Sequence, residues 1–242
     1  MYAIKTEGLC KRYKTVTALD GLNLEIPAGE LFALLGVNGA GKTTAVKLLT
    51  GLAAPTDGDA WVDGHSVTEH PEQVKAVIGV SPQETALAPN LTAEENLALI
   101  CGVYSFSKTD TAHRIREISE RLGLEPVLHR RAGTLSGGWQ RRLSIAMALV
   151  CRPRVLFLDE PTLGLDVLAR RDLWDTIRAL KGEITILLTT HYMEEAAALA
   201  DRIGIMKNGR LLALGTLGEL LAQTGTSDLE AAFVATVKEA AV

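Results

Sequence analysis

One eight-residue segment constrains the fold of this chain more than any other. Residues 36–43, GVNGAGKT, match the pattern G-x-x-x-x-G-K-[ST], follow the apolar run LFALL and precede the helical pattern TAVKLL. These surroundings predict a strand, a glycine-rich loop and a helix. In such a loop, backbone N–H groups surround phosphates, Lys42 reaches the outer phosphates and the Thr43 hydroxyl binds Mg²⁺. A glycine-rich turn with a solvated lysine is the alternative. The predicted phosphate-binding residues are Gly36, Asn38, Gly39, Ala40, Gly41, Lys42, Thr43 and Thr44.

Two carboxylates follow a second apolar run. The segment VLFL, residues 155–158, leads directly into Asp159 and Glu160. Charges at the end of a buried strand gain little unless a cation or a reaction needs them. Because the chain also has a phosphate-binding loop, we expect Asp159 to hold Mg²⁺ and Glu160 to orient and deprotonate the water that attacks the γ-phosphate. A strand that simply leads into a turn is the alternative.

Two isolated polar residues follow other strand-like runs. Gln83 ends the segment IGVSPQ, and His191 follows ITILLTT. Gln83 is a candidate ligand of Mg²⁺ or of the attacking water, and an ordinary loop amide is its alternative role. His191 is a candidate hydrogen-bond partner of the γ-phosphate, and a structural histidine is its alternative role.

A second anion-binding segment opens a helix that contains arginines. In LSGGWQ, residues 135–140, Ser136, Gly137 and Gly138 are predicted to form an anion-binding nest, a short segment whose backbone N–H groups point toward one anion. One nucleotide does not need two nests. A symmetric head-to-tail dimer explains both, because the second nest of each copy then closes over the nucleotide held by the other. A helix start capped by Ser136 is the alternative.

The apolar pattern divides the chain into an α/β core with two additions. Alternating residues in AIKTEGL and LDGLNLEI predict short antiparallel strands at the N-terminus. Helical periodicity dominates from Thr92 to Val150, which indicates an inserted helical subdomain. We therefore predict one domain over residues 1–221, with an α/β core and β-subdomain at 1–84 and 151–221 and the helical subdomain at 85–150. Residues 222–242 form a short helical tail in this prediction.

Charge and cysteine use narrow the class of partner. Lysine and arginine number 25 against 29 aspartate and glutamate residues, so no basic field favours nucleic acid. The three cysteines have no metal-ligand spacing, which indicates a reducing compartment. The first residues lack a secretory pattern, so we expect a mature start near Met1. The apolar runs are far shorter than the roughly 20 residues that a membrane helix needs. We therefore expect action at a membrane only through a partner.

Together these motifs resemble the nucleotide-binding domain of ATP-binding-cassette transporters over residues 2–221. GVNGAGKTT is similar to the Walker A loop, Gln83 to the Q-loop, LSGGWQ to the signature motif, VLFLDE to Walker B, LGLD (163–166) to the D-loop and His191 to the switch histidine. The resemblance implies a RecA-like P-loop NTPase core that uses ATP and Mg²⁺, with Thr43, Gln83 and Asp159 at the metal. It also implies that Tyr13 stacks on adenine and that Asp166 lies near the nucleotide. A half-buried strand aromatic is the alternative role of Tyr13.

The resemblance implies an ATP-hydrolysing subunit that powers transport, in the direction of export, by ATP-driven dimer closure. Its expected partners are a transmembrane permease on a separate chain and a second cassette, identical or paired. The expected location is the cytoplasmic face of the cell membrane, without nucleic acid. Trp139, Leu163 and Val167 depart from the residues common at these motif positions, which leaves interface details open. The alternatives are an importer ATPase, a soluble cassette ATPase acting on ribosomes or DNA, and a weakly hydrolysing adaptor.

Large hydrophobic residues between Gln83 and Phe106 are candidates for the groove that receives the membrane partner. These residues are Leu87, Leu91, Leu97, Tyr104 and Phe106. Packing within the core of the helical subdomain is the alternative for each of them.

Overall fold

The computed structural model describes residues 2–239, which form two sheets and an inserted group of helices. Met1 and residues 240–242, at the ends of the predicted domain and tail, lie outside the described residues. In chain order the elements are β1 (Tyr2–Tyr13), β2 (Val16–Pro27), β3 (Leu31–Gly36), α1 (Lys42–Leu49), β4 (Asp57–Val62), β5 (His65–Ser66), α2 (Pro71–Val77), β6 (Ile78–Ser81), α3 (Ala93–Val103), α4 (Lys108–Leu122), α5 (Gly137–Leu149), β7 (Val155–Asp159), α6 (Val167–Arg178), β8 (Thr185–Thr190), α7 (Met193–Leu199), β9 (Arg202–Lys207), β10 (Arg210–Gly215), α8 (Leu217–Thr224) and α9 (Leu229–Glu239).

The central sheet has the order β10-β9-β3-β8-β7-β6. All its pairings are parallel except β10 with β9. Every residue of β3, β7 and β8 is buried, because helices or the second sheet cover both faces. The parallel strands end at one edge of the sheet. The loops that follow β3, β6, β7 and β8 carry the glycine-rich segment, Gln83, Glu160 and His191, so this edge is where the predicted site residues meet.

The second sheet is antiparallel and has the order β2-β1-β4-β5. The predicted short strands are in fact two strands of 12 residues each. Their pairing is interrupted by register shifts, among them one between Thr6 and Leu9, and Gly8 and Gly21 have positive φ angles. These irregularities break the alternation of polar and apolar residues, which is why the sequence pattern indicated shorter strands.

The inserted helices α3, α4 and α5 pack against one another, and their apolar core is continuous with one face of the central sheet and with α6. Thr92 and Glu95 form a capping box at the start of α3, and Ser107 caps α4, which ends at the left-handed Gly123. Thr or Ser at a helix start, Glu three residues later and Gly at the helix end are residue types favoured at these positions. Among residues 2–239, the structure contains no helix of the length and apolar content that crossing a bilayer requires.

Candidate active site

A cavity of about 540 Å³ lies at the edge where the parallel strands end. It brings together segments that are far apart in the sequence, including most of the predicted phosphate-binding residues, Gln83 and Glu160. Gly36 is the last residue of β3 and does not line the cavity. The walls are formed by Val16, Thr17, Ala18, Asn38, Gly39, Ala40, Gly41, Lys42, Thr43, Thr44, Gln83, Glu160 and Asn208.

The glycine-rich loop holds a backbone shape that other residues rarely adopt. Gly41, just before α1, has a φ of 104°, and a Cβ at this position would lie 2.5 Å from the carbonyl oxygen of Ala18. Glycine is therefore required at this turn. No side chain caps the start of α1, so the amides of its first turn are free to bind an anion.

Lys42 is folded back into this loop and is almost fully buried. Its Nζ donates to the carbonyl oxygens of Gly36 at 2.8 Å and Val37 at 3.3 Å. The same Nζ lies 3.2 Å from Oε1 of Glu160. The two charges thus neutralise each other inside the cavity, where an unpaired charge is costly.

Asp159 lies at the end of β7, between two threonine hydroxyls. Thr43 Oγ1 lies 3.3 Å from its Oδ1, and Thr189 Oγ1 donates to the same oxygen at 2.5 Å. Thr189 is directly opposite Asp159 in the parallel pairing of β7 with β8. The sequence analysis missed Thr189, because its role depends on which strands are neighbours, and the repeated threonines of ITILLTT were the only signal.

Glu160 follows β7 in an unusual backbone conformation, with a φ of 48°. Its backbone N–H donates to both the carbonyl oxygen and the hydroxyl of Thr189, each at 3.1 Å. These bonds and the Lys42 pair keep the carboxylate in the cavity. A left-handed conformation is strained for a residue with a side chain and is often found at functional sites.

His191 and Gln83 both reach this region. His191 Nδ1 lies 3.2 Å from Oε2 of Glu160. Gln83 lines the cavity, and its backbone carbonyl accepts a hydrogen bond from Arg141 of α5 at 2.6 Å. The structure therefore places His191 next to the Glu160 carboxylate and Gln83 in the cavity lined by the glycine-rich loop.

The second predicted nest lies at the start of α5, in a different cavity of about 330 Å³. Ser136 occupies the N-cap position, but its hydroxyl makes no capping hydrogen bond. It therefore does not perform the alternative role of a helix cap. Asp166 and Trp139 line this second cavity, and the Asp166 carboxylate accepts hydrogen bonds from the first amides of α6.

Tyr13 does not line the 540 Å³ cavity. It ends β1 and pairs with Val16, which does line the cavity. The residue is 44% exposed, and Lys11 Nζ lies 5.1 Å from the ring centre. The adenine-stacking role stays a prediction.

Glu195 of α7 is a buried acid near the site that the sequence analysis did not identify. Trp174 Nε1 donates to its Oε1 at 3.1 Å, whereas Oε2 has no hydrogen-bond partner among the described residues. Burial raises the pKa of the Glu195 carboxyl, against the opposing effects of nearby Thr190 and Thr162. Its position in MEEAAALAD, four residues after His191, was the only signal in the sequence.

An apolar groove of about 460 Å³ runs between β6, α3 and α5. We call it the β6–α5 groove, and its walls are Thr50, Leu52, Lys75, Ile78, Gly79, Val80, Pro82, Ala86, Ile100, Tyr104, Ser144, Met147, Ala148 and Cys151. Of the five hydrophobic residues predicted to line a docking groove, Tyr104 does so. The prediction was wrong for Leu97, which is fully buried. Leu97 lies on the buried face of α3, together with Ala93 and Cys101. Leu87, Leu91 and Phe106 are partly buried and do not line this groove, and their part in docking stays a prediction.

Comparisons with known proteins agree with this geometry. The family model described as "ABC transporter" matches residues 19–163. The chain is 43% identical over 228 residues to the daunorubicin/doxorubicin resistance ATP-binding protein DrrA of Streptomyces peucetius, covering 94% of this chain and 69% of that protein.

Two solved structures are similar over most of the chain. One is an ATP-binding subunit of an ABC transporter. It has a TM-score of 0.86 and 30% identity, and the match covers 97% of this chain and 99% of that structure's chain. The other is a dimeric post-hydrolysis state of the ATP-binding cassette MJ0796 bound to ADP and Pi. It has a TM-score of 0.80 and 28% identity, and the match covers 88% of this chain and 98% of that structure's chain. These likenesses confirm the predicted α/β fold with a RecA-like core.

Proposed function

Because this chain belongs to the ABC transporter family, we propose that it works as one of two paired cassettes that close around ATP and drive a separate membrane-spanning partner. The chain is an ATP-binding and ATP-hydrolysing subunit of such a transporter. The observation that carries the proposal is the meeting of Lys42, Thr43, Asp159 and Glu160 at one sheet edge, while Ser136 lines a different cavity.

Glu160 is the proposed general base. The water oxygen forms a bond to the γ-phosphorus, the bond from that phosphorus to the β,γ-bridging oxygen breaks, and the water proton passes to the Glu160 carboxylate. In the structure this carboxylate is paired with Lys42. The phosphates of ATP attract the lysine ammonium, which frees the carboxylate to bind water. His191, 3.2 Å from Glu160, is placed to hold that carboxylate or the γ-phosphate in position.

Mg²⁺ fits the oxygen atoms beside Lys42. Thr43 Oγ1 and Asp159 Oδ1 are 3.3 Å apart, and Gln83 lines the same cavity. Within residues 2–239 there is no group of three or more His, Cys, Asp or Glu side chains placed to hold a metal. This agrees with Mg²⁺, which takes one or two protein oxygens together with substrate phosphates and water. When bound, the ion neutralises phosphate charge, and Thr43, Asp159 and Gln83 are its proposed ligands.

Pairing of two cassettes gives the second nest a function. Ser136 and Gly137 are exposed, and the Ser136 hydroxyl is free of any capping bond. In a head-to-tail pair, this nest meets the γ-phosphate bound by the partner copy. Dimer closure would then depend on ATP, since the phosphates supply the contacts that join the two copies.

The β6–α5 groove is the proposed docking site of the membrane partner. Its walls are mainly apolar, with Tyr104 and Ile100 on one side and Met147 on the other, and Lys75 lies among them. An amphipathic segment with an acidic residue near Lys75 suits these walls. The relation to a drug-resistance protein favours export as the direction of transport and the cytoplasmic membrane face as the location.

A dimerisation assay tests this function. Glu160→Gln removes the proton acceptor but leaves the side-chain shape, so the purified variant should bind ATP, lose nearly all turnover and form a dimer with ATP and Mg²⁺ but not with ADP. Glu194→Gln, at an exposed carboxylate three residues after His191, is the control and should keep turnover. Phosphate release by Glu160→Gln at the rate of the unmodified chain would contradict the role. Co-purification with ribosomes or DNA instead of a membrane protein would favour a soluble cassette ATPase.

A further inference from the structure

Helix α5 packs closely along strand β6, and the two elements contact each other at several successive positions. A Cβ on Gly79 would lie 2.2 Å from the carbonyl oxygen of Ala148, so only glycine allows this approach. One turn nearer the N-terminus of α5, the hydroxyls of Ser81 and Ser144 form a buried hydrogen bond of 2.8 Å. The helix residues 144 and 148 are spaced to lie on one face of α5. One face of α5 therefore packs against β6 and is hydrogen-bonded to it.

Arg141 extends this face to the Q-loop. It donates from Nη1 to the carbonyl oxygen of Pro82 and from Nη2 to that of Gln83, each at 2.6 Å. The side chain is 6% exposed, and burial lowers the pKa of its guanidinium. Two charge-assisted bonds in a buried setting fix the direction of both partners more firmly than surface contacts do.

The two ends joined by Arg141 serve different nucleotides in the paired state. Gln83 lines the ATP cavity of its own chain. Ser136 lies five residues before Arg141, about one and a half helical turns, at the nest that meets the ATP of the other copy. Arg141 is thus the side chain of α5 that is hydrogen-bonded to the Gln83 backbone.

We propose that Arg141 is a positioning residue that couples the two nucleotide contacts of the chain. Through its bonds to the Pro82 and Gln83 carbonyls, engagement of Gln83 with bound ATP and Mg²⁺ sets the placement of the Ser136 nest for the second ATP. This inference rests on the proposed function. It adds that the two sites communicate through one buried arginine.

The chain offers a matched control. Arg114 has the same exposure of 6% and also donates to two backbone carbonyls of the α5 segment, those of Leu149 and Val150. These carbonyls lie at the opposite end of α5 from Ser136. A purely structural role of buried arginines predicts that Arg114→Met and Arg141→Met behave alike. The coupling role predicts that only Arg141→Met affects ATP-driven closure.

The experiment places each substitution in the full chain carrying Glu160→Gln and measures three quantities: melting temperature, ATP affinity of the monomer at low protein concentration, and the dimer dissociation constant with ATP and Mg²⁺. We expect both methionine variants to lower the melting temperature. Arg141→Met should keep monomer affinity within about twofold and weaken the dimer by about tenfold or more, which corresponds to the loss of one or two hydrogen bonds. Arg114→Met should leave the dimer dissociation constant unchanged. Arg141→Lys should recover part of the dimer affinity that Arg141→Met loses.

Equal dimerisation of Arg141→Met and its parent would overturn the coupling role while leaving the proposed function in place. An equal loss of dimer affinity in Arg114→Met and Arg141→Met would overturn it as well. If Arg141→Met does not fold, Arg141→Lys carries the test, because it keeps the charge but loses the fixed two-carbonyl geometry. A parent chain that stays monomeric with ATP would instead overturn the proposed function and this inference with it.

Discussion

The imidazole of His191 lies against the carboxylate of Glu160, with Nδ1 3.2 Å from Oε2 but without the alignment of a hydrogen bond. The neighbouring ring of Tyr192 lies 4.1 Å from the imidazole, centre to centre. The two groups are therefore in close approach without a formed hydrogen bond. Such bonds often tighten only when substrate binds.

His191→Ala should lower the turnover number by about 100-fold, because it removes a group that orients the base or the γ-phosphate during bond breaking. ATP affinity and melting temperature should change little, since His191 Nδ1 forms no aligned hydrogen bond with the protein. Steady-state phosphate release and nucleotide titration measure the two effects. His129→Ala, at an exposed side chain, is the control. A loss confined to ATP affinity would show that His191 only binds nucleotide.

Thr43→Val should raise the Mg²⁺ concentration needed for half-maximal ATP hydrolysis by about tenfold, because it replaces an oxygen ligand by a methyl group of similar volume. Thr43→Ser keeps the hydroxyl and should retain the dependence on Mg²⁺ of the unmodified chain. Activity is titrated with Mg²⁺ at constant free ATP. An unchanged Mg²⁺ midpoint in Thr43→Val would remove Thr43 from the metal site.

Glu117→Gln should destabilise the chain at neutral pH but not in acid. A hydrogen bond from Arg114, together with Arg152, lowers the pKa of Glu117 to about 2 from its usual 4.5. Because the folded pKa is the lower one, the ionised carboxylate stabilises the fold above pH 4.5, and this contribution is lost as the pH falls from 4.5 towards 2. The side chain is 42% exposed, so we expect only about 1 kcal/mol at pH 7.

Urea unfolding at pH 7, 4 and 3 measures that difference for Glu117→Gln. Glu120→Gln, on the exposed face of the same helix, is the control and should have a small effect at each pH. A difference that is constant across the three pH values would contradict an origin in the ionised carboxylate.

Tyr104→Asp should prevent assembly with the membrane partner while leaving ATP-dependent dimerisation intact, because it puts a charge into the apolar wall of the β6–α5 groove. Val103→Asp is a close control, since Val103 is the adjacent residue, is 72% exposed and does not line the groove. Co-purification from detergent-solubilised membranes measures assembly. Recovery of equal amounts of partner with both variants would exclude the groove as the docking site.

Much of the site was predictable because its motifs are local. The glycine-rich loop lies between a strand and a helix in the sequence itself, and Asp159 and Glu160 follow an apolar run, so strand ends alone place them at one edge of a parallel sheet. The same reasoning brought Gln83 and His191 to that edge.

The contacts between distant elements were not predictable in this way. Thr189 holds Asp159 only because β7 and β8 are neighbours, and Arg141 reaches Gln83 only because α5 lies against β6. Leu97 was misplaced because an isolated helical stripe does not show which of its two faces meets the core. Strand order and helix packing depend on the whole chain, and no single segment encodes them.

The left-handed backbone at Glu160 determines which substitutions can inform on the reaction. This conformation costs on the order of 1–2 kcal/mol for a residue with a side chain. Glutamine carries the same backbone cost as glutamate, so the local main-chain geometry is preserved and a change in rate reports on the loss of the carboxylate, as proton acceptor and as partner of Lys42, and not on a backbone shift. Glycine would relax the turn, and a β-branched residue would resist it, so either exchange would mix chemistry with a shift of the main chain.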